Sequence, residues 1–158
     1  MIKQYFKFLI IINKYIIILL QKTLKKMKKT NTLLVLFNII FLMYYSFQLL
    51  VFTDEFAINN LGIFNHAIAG LSEIIGIIFL SLSISLFYVL KKNINGQLPL
   101  FLTVFLIQIL ILLNFIRYIF TDSPGETTIE SIFLNMIIFL FGVIISGFFI
   151  FLNRKTLK

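Results

Sequence analysis

The chain of 158 residues has no cysteine, no tryptophan and a single histidine, His66. Without cysteine it can hold no thiolate metal site, no iron–sulfur cluster and no disulfide-exchange chemistry. With one histidine, a single chain builds neither a bis-histidine haem site nor a multi-histidine metal site. We therefore expect no metal centre, and no cofactor is evident from the residues themselves.

Charged residues are also scarce. They make up 13% of the chain, while hydrophobic residues make up 60%. Soluble domains usually have about 25% charged residues, because a small fold has a large surface to solvate. The composition therefore indicates an integral membrane protein. It argues against a soluble enzyme, a disordered chain and a nucleic-acid-binding domain, even though the net charge is +8.

Four apolar runs are long enough to cross a bilayer, which takes about 20 residues of helix. They cover residues 33–52, 66–90, 98–120 and 129–152, and polar connections with turn residues separate them. Because hydrocarbon offers no partner to free backbone groups, runs of this length must be helical. The sequence predicts an all-α, polytopic membrane protein in which residues 31–158 form a four-transmembrane-helix bundle.

The distribution of positive charge predicts the orientation. Lysine and arginine occur in the segment before the first span, in the connection around 91–97 and in the tail. In the other two connections, all charged residues are acidic. Positively charged connections stay in the cytoplasm. We therefore expect a multi-pass protein with both termini cytoplasmic. Arg117 is the one basic residue placed inside a span near the outer face.

Residues 1–30 have two interpretations. Six polar residues fall on one side of a helix, namely Lys3, Lys7, Lys14, Gln21, Lys25 and Lys28. This pattern predicts an amphipathic helix that lies on the membrane, with its lysines near anionic lipid head groups. Alternatively, Met27 is the true start, and the residues before it are translated upstream sequence.

Polar residues inside the spans fall on one face of each helix. These faces comprise Asn38, Tyr45 and Gln48 in the first span; His66, Gly70, Glu73, Gly76 and Ser83 in the second; Thr103, Asn114 and Arg117 in the third; Ser131, Asn135, Gly142 and Ser146 in the fourth. Gln108 points elsewhere, and Glu130 lies to one side of the face of the fourth span. Since buried polar groups usually face the interior of a bundle, we expect the four faces to converge.

The depths of these residues predict a polar pocket in the outer half of the membrane. At about 1.5 Å per residue, the polar groups gather near the outer ends of the spans. The candidate ligand-binding residues are His66, Glu73, Asn114, Arg117, Glu130 and Asn135. Arg117 is the expected partner of Glu73 or Glu130, because a guanidinium keeps a carboxylate ionised in lipid. A purely structural role, as helix caps or interhelix contacts, is the alternative.

Residues 69–76 read Ala-Gly-Leu-Ser-Glu-Ile-Ile-Gly and resemble the A-G-x-x-E-x-x-G pattern in the second helix of DoxX-like membrane proteins. The stretch from Arg117 to Asp122-Ser123-Pro124 is similar to a related family of small four-helix bacterial membrane proteins. The resemblance implies a protein of the bacterial cytoplasmic membrane. From the family pattern, Glu73 and its flanking glycines carry over to this chain. Because some DoxX-like proteins are linked to quinone-dependent oxidation, the resemblance also implies a quinone as a ligand.

Three functions fit the sequence. The first is an accessory or binding protein that holds a lipid, a quinone or a partner subunit in its outer half. The second is a membrane enzyme acting on a lipophilic substrate, although the chain has no recognisable nucleophile or metal site. The third is a small transporter or channel subunit, which would require a homo-oligomer because four spans enclose a narrow core.

Overall fold

The computed structural model describes residues 29–62, 65–121 and 128–158. Within these ranges the chain forms five α-helices and no strands: α1 (Lys29–Leu50), α2 (Thr53–Leu61), α3 (His66–Lys92), α4 (Leu98–Phe120) and α5 (Ile129–Asn153). All except α2 are long and apolar enough to cross a membrane. This confirms the predicted all-α architecture with four spans. The predicted amphipathic helix and the alternative start at Met27 lie outside the described residues.

Local sequence signals explain where the spans begin. The Asn65 side chain accepts a hydrogen bond of 2.9 Å from the backbone N–H of Ile68, and Thr128 caps α5 in the same way. Such side-chain acceptors satisfy N–H groups that have no partner in the first turn of a helix. Pro99 occupies the first turn of α4, where a missing N–H costs nothing.

Helix α1 lies at the centre of the bundle. It packs along α3 on one side and contacts α5 on another, and α4 packs mainly against α5. In the apolar window of each span, 44% of the residues of α1 are buried but only 22% of those of α4. Most of the surface of α4 therefore faces outward. In a membrane, this surface contacts lipid or another protein.

The buried residues follow the spacing of a helix seam. In α3 they include Ser72, Gly76, Phe79, Ser83 and Leu86, and in α5 they include Phe139, Gly142, Ser146 and Phe149. Alternating steps of four and three residues keep one narrow line of side chains on one side of a helix. Small residues in these seams let the helix backbones approach closely, which is how membrane helices usually associate.

An aromatic cluster fills the middle of the bundle. The Phe139 ring lies 4.9 Å from the Tyr45 ring and 5.2 Å from the Phe41 ring, measured between centroids. Phe115 of α4 approaches the same ring at 5.7 Å. The edge-to-face and tilted arrangements are those that aromatic rings prefer. The cluster joins α1, α4 and α5 without polar atoms apart from the Tyr45 hydroxyl.

The connection after α1 contains a short helix that the sequence pattern does not predict. Helix α2 has nine residues, carries Asp54 and Glu55 in its first turn and ends at Gly62, whose φ is 74°. Carboxylates favour a helix N-terminus, and glycine adopts positive φ at little cost. Ala57 of α2 is fully buried. We refer to the end of the bundle where α2 lies as the α2 end.

The opposite end of the bundle is closed by the C-terminal tail. The backbone N–H of Leu98 donates to the carbonyl of Leu157 at 3.0 Å, and that of Gly96 donates to Thr156 at 3.3 Å. The Leu157 side chain is fully buried. The connection between α3 and α4 turns at Asn95-Gly96, and Gly96 has a φ of 69° that favours glycine.

Candidate functional site

The six candidate ligand-binding residues do not come together in the structure. His66 begins α3, and Glu130 lies in the first turn of α5, and both are exposed. Glu73 is exposed on α3, and Asn114 and Arg117 are exposed on α4. Only Asn135 is partly buried and turned toward other helices. The ligand-binding role of the set stays a prediction, but five of its members lie on the outside of the bundle.

Helix α4 shows why the four faces do not all converge. Gln108, which points away from Asn114 and Arg117, is fully buried, and the polar face lies outside. Within the described residues Arg117 forms no ion pair with Glu73 or Glu130; its guanidinium lies 4.9 Å from the Tyr118 ring centroid. Most residues on every side of a membrane helix are apolar. The spacing of its few polar residues therefore shows which of them share a face but not whether that face points inward.

A buried polar cluster of Asn38, Gln108 and Ser146 links three spans. The Gln108 amide donates to Asn38 Oδ1 at 3.1 Å. The Ser146 hydroxyl lies 2.6 Å from both Asn38 Oδ1 and Gln108 Oε1, and its single hydrogen serves one of them at a time. The amide nitrogen of Asn38 is used as well, because its Nδ2 donates to the Leu34 carbonyl at 3.0 Å.

The cluster leaves no room for a ligand. The Cβ that a substitution would add at Gly142 lies 3.2 Å from the Gln108 amide, so the backbone of α5 already touches that side chain. Polar groups that satisfy one another in a close-packed interior hold helices in register. We therefore assign Asn38, Gln108 and Ser146 a structural role.

The candidate site is instead a cavity of about 190 Å³ at the α2 end, between α1, α2 and α5. Its lining combines apolar side chains with two phenols, three amides and one carboxyl group. The polar lining residues are Tyr44, Tyr45, Gln48, Glu55, Asn59 and Asn135. Phe56, Leu134 and Ile138 supply the apolar part. A small number of polar groups in an apolar wall is typical of small-molecule sites.

One wall of the cavity is held in place by hydrogen bonds. The Tyr45 hydroxyl donates to Asn135 Oδ1 at 3.0 Å, and Asn135 Nδ2 donates to the Ser131 carbonyl one turn earlier at 2.9 Å. Tyr45 is 4% exposed and packs in the aromatic cluster. The two side chains therefore have fixed positions, and the pair joins α1 to α5 at the wall of the cavity.

The other polar lining groups have no such bonds. Within the described residues no hydrogen bond or ion pair involves the side chains of Tyr44, Gln48, Glu55 or Asn59. They supply hydroxyl and amide donors, and they supply carbonyl and carboxylate acceptors. Among the described residues that line the cavity there is no lysine or arginine, and the one formal charge they carry is the negative charge of Glu55. The cavity is suited to a neutral polar group.

An apolar groove runs along α1 beside the cavity. It measures about 540 Å³ and is open to the surroundings, and Leu80 of α3 forms its far side. Its walls are almost entirely apolar, with Met43, Phe47 and Val51 as typical members. Tyr44 lines both the groove and the cavity, with its ring 53% exposed. A hydrocarbon surface and a polar cavity thus meet at this residue.

The sequence points to part of this site. Tyr45 and Gln48 share the polar face of the first span, and Asn135 is among the candidate ligand-binding residues. Glu55 and Asn59 were missed because the connection that carries them is treated as a solvated turn. The signal that could have found them is the spacing of Glu55 and Asn59, which places them one turn apart on one face of a helix.

No protein-family model, curated protein or solved structure matches this chain. The DoxX-like resemblance therefore stays a prediction. The fold and the composition define the class: the chain is an integral membrane protein with four apolar helices.

Proposed function

We propose that this protein binds the uncharged head group of a lipophilic molecule, a quinone or a neutral lipid, in the cavity at the α2 end. The observation that carries the proposal is the cavity itself, with four polar side chains that form no hydrogen bond or ion pair within the described residues. An accessory or binding protein needs such a site but no nucleophile or metal. The phenols, amides and apolar side chains that line the cavity suit binding.

The size of the cavity supports a small head group. A cavity of about 150 Å³ in a protein interior accommodates one benzene ring. The cavity at the α2 end, at about 190 Å³, is large enough for one ring or a group of similar size. A whole lipid is far larger, so its chain must lie outside. The apolar groove that begins at Tyr44 offers a surface for that chain.

The charge of the cavity selects against anionic lipids. In the part of the chain that the structure describes, Glu55 is the one carboxylate in its wall, and no basic residue lies there. A phosphate head group would be repelled by Glu55 and would find no positive partner. Carbonyl or hydroxyl groups, by contrast, accept hydrogen bonds from Tyr44, Gln48 and Asn59. This favours quinones and neutral lipids over phospholipids of negative charge.

The proposal places the protein in the bacterial cytoplasmic membrane with both termini in the cytoplasm. All Lys and Arg residues except Arg117 fall within residues 1–29, lie at Lys91 and Lys92 or follow α5, which supports this orientation. The cavity then opens at the outer side of the membrane. A reporter fused after Lys158 should be active only in the cytoplasm; activity only outside the cell would contradict the orientation.

Binding can be tested with Gln48→Leu, which keeps the size of the side chain and removes its amide. The purified full-length protein in lipid nanodiscs is titrated with a short-chain quinone, with diacylglycerol and with phosphatidylglycerol. Loss of one hydrogen bond to a neutral group should weaken binding about 3–10-fold. The matched control is Gln97→Leu at the opposite end of the bundle, since the Gln97 side chain makes no capping bond.

The comparison of ligands identifies the head group. Binding of the quinone or of diacylglycerol, weakened by Gln48→Leu and unchanged by Gln97→Leu, supports the proposal. Preferential binding of phosphatidylglycerol would contradict the argument from charge. Equal affinities in the two variants would show that the cavity is not the site.

A further inference from the structure

We propose that copies of this chain associate side by side in the membrane, with Glu73 on α3 of one copy paired with Arg117 on α4 of the next. The proposal concerns the outer faces of α3 and α4 and does not depend on ligand binding in the cavity. It gives a role to charged residues that the fold places outside the bundle.

Glu73 has no partner among the described residues of its own chain. It lies seven residues from the first residue of α3, which is about 10 Å into the membrane from the α2 end. Its side chain is exposed among Ile74 and Ile77, which are 56% and 55% exposed. No ion pair or hydrogen bond involves Glu73 within the described residues. A carboxyl group in hydrocarbon is costly, so such groups usually face a partner or a wet cavity.

Among the described residues, only one basic side chain lies near the same depth. Thirteen of the 14 lysine and arginine residues fall within residues 1–29, at residues 91–92 or in the tail. Of these thirteen, the ones that the structure describes are Lys29, Lys91, Lys92 and those of the tail, and they lie at the opposite end of the bundle. The remaining one is Arg117. If a basic side chain of the described residues neutralises Glu73, it must be Arg117.

Arg117 is placed to reach Glu73 of a neighbouring copy. It lies three residues before the end of α4, about 5 Å from the α2 end, so the two Cα positions differ in depth by about 6 Å. The combined length of an arginine and a glutamate side chain covers this difference. Arg117 is exposed. Within the described residues its guanidinium forms no ion pair and lies against the Tyr118 ring.

The two residues cannot meet within one copy. At 100° per residue, Glu73 is turned about 100° from Ser72 of the buried seam of α3, and Arg117 is turned about 180° from the buried Gln108 of α4. Both therefore face away from the interior. A contact between α3 of one copy and α4 of the next joins different surfaces, which produces a closed ring or a chain of copies.

The apolar surroundings also match. Ile77 lies on the Glu73 face of α3, and Leu110 lies on the Arg117 face of α4, at depths of about 15–17 Å from the α2 end. They are 55% and 62% exposed. Helix α4 is the least buried span, so its surface is available for a neighbour.

The charge pair can be tested by the oligomeric state of the full chain in liposomes. Single-molecule photobleaching measures the fraction of oligomers while the protein-to-lipid ratio is varied. We expect Glu73→Gln and Arg117→Gln each to raise the dissociation constant at least about tenfold. The exchange Glu73→Arg with Arg117→Glu should restore association. Glu130→Gln is the matched control, because Glu130 is an exposed carboxylate outside the proposed contact.

A second measurement does not alter the charges. Since the native chain has no cysteine, a differently tagged pair of single variants, Ile77→Cys and Leu110→Cys, reports contacts between copies only. We expect a disulfide between the two tags under a lipid-soluble oxidant. Ile78→Cys paired with Leu110→Cys is the control, because residue 78 is turned about 100° from residue 77.

The proposal is supported by an oligomer that weakens in both neutral variants together with the specific cross-link. It is overturned if the wild-type chain is monomeric at all protein-to-lipid ratios. It is also overturned if the oligomer persists unchanged in Glu73→Gln and Arg117→Gln, or if the Ile78 control cross-links as well as the Ile77 pair. None of these outcomes affects ligand binding by the cavity, so the two proposals fail independently.

Discussion

The inward and outward faces of the spans carry polar residues with different surroundings. Asn38, Gln108 and Ser146 face inward, are almost fully buried and bond to one another. Glu73 and Arg117 face outward and form no ion pair within the described residues. Residues whose bonding is complete within the chain serve the fold. Exposed charges that lack a partner in a span indicate a contact with something beyond the chain.

The largest difference between the faces is expected for two glycines of α3. In Gly76→Ala, the new Cβ would lie 2.8 Å from Leu50 Cγ and 3.1 Å from Leu49 Cβ, whereas nothing lies within 4 Å at Gly70. Overpacking of this kind costs about 1–3 kcal/mol. In Gly70→Ala, helix propensity should instead add about 0.5–1 kcal/mol of stability.

The free energy of unfolding of both variants can be measured in mixed micelles by titration with a denaturing detergent. Opposite signs for the two substitutions would confirm that α1 and α3 touch at Gly76. Equal effects would contradict the packing of the inner seam.

A smaller difference is expected for two asparagines. Asn38→Leu leaves the Gln108 amide without its acceptor inside the bundle, which costs about 1–2 kcal/mol. Asn114→Leu removes an exposed amide with no bond in the described chain, and stability should stay the same or rise slightly. Thermal unfolding in dilute detergent, where copies are separated, distinguishes the two. A larger loss for Asn114→Leu would mean that the inward face of α4 is assigned incorrectly.

The spans were predictable because their signal is local. An uninterrupted apolar run must be helical in lipid, so the ends of α3, α4 and α5 agree with the prediction to within two residues. The turn at Gly96 was predictable because the Asn95-Gly96 dipeptide is also a local signal. Helix α2 was not predictable as a wall of a cavity. Its residues are polar enough for a turn, and its position depends on contacts with α1, α3 and α5.

The candidate site was predictable only in part. The pattern correctly places Tyr45 and Asn135 on inward faces, and the two side chains form a hydrogen bond. It also places Asn114 and Arg117 inward and Gln108 elsewhere, and this assignment is wrong. Water drives polar residues of soluble helices outward, but lipid gives no such rule. The rotation of α4 is therefore set by its packing on α5.

By itself the sequence determined that the chain is a membrane protein with four helical spans. These properties follow from composition and from the length of apolar runs, which act locally. Only the tertiary structure decided which polar residues meet inside, which face outward and where a cavity remains. Those outcomes depend on the rotation of each helix about its axis, and that rotation is set by the packing of all the helices together.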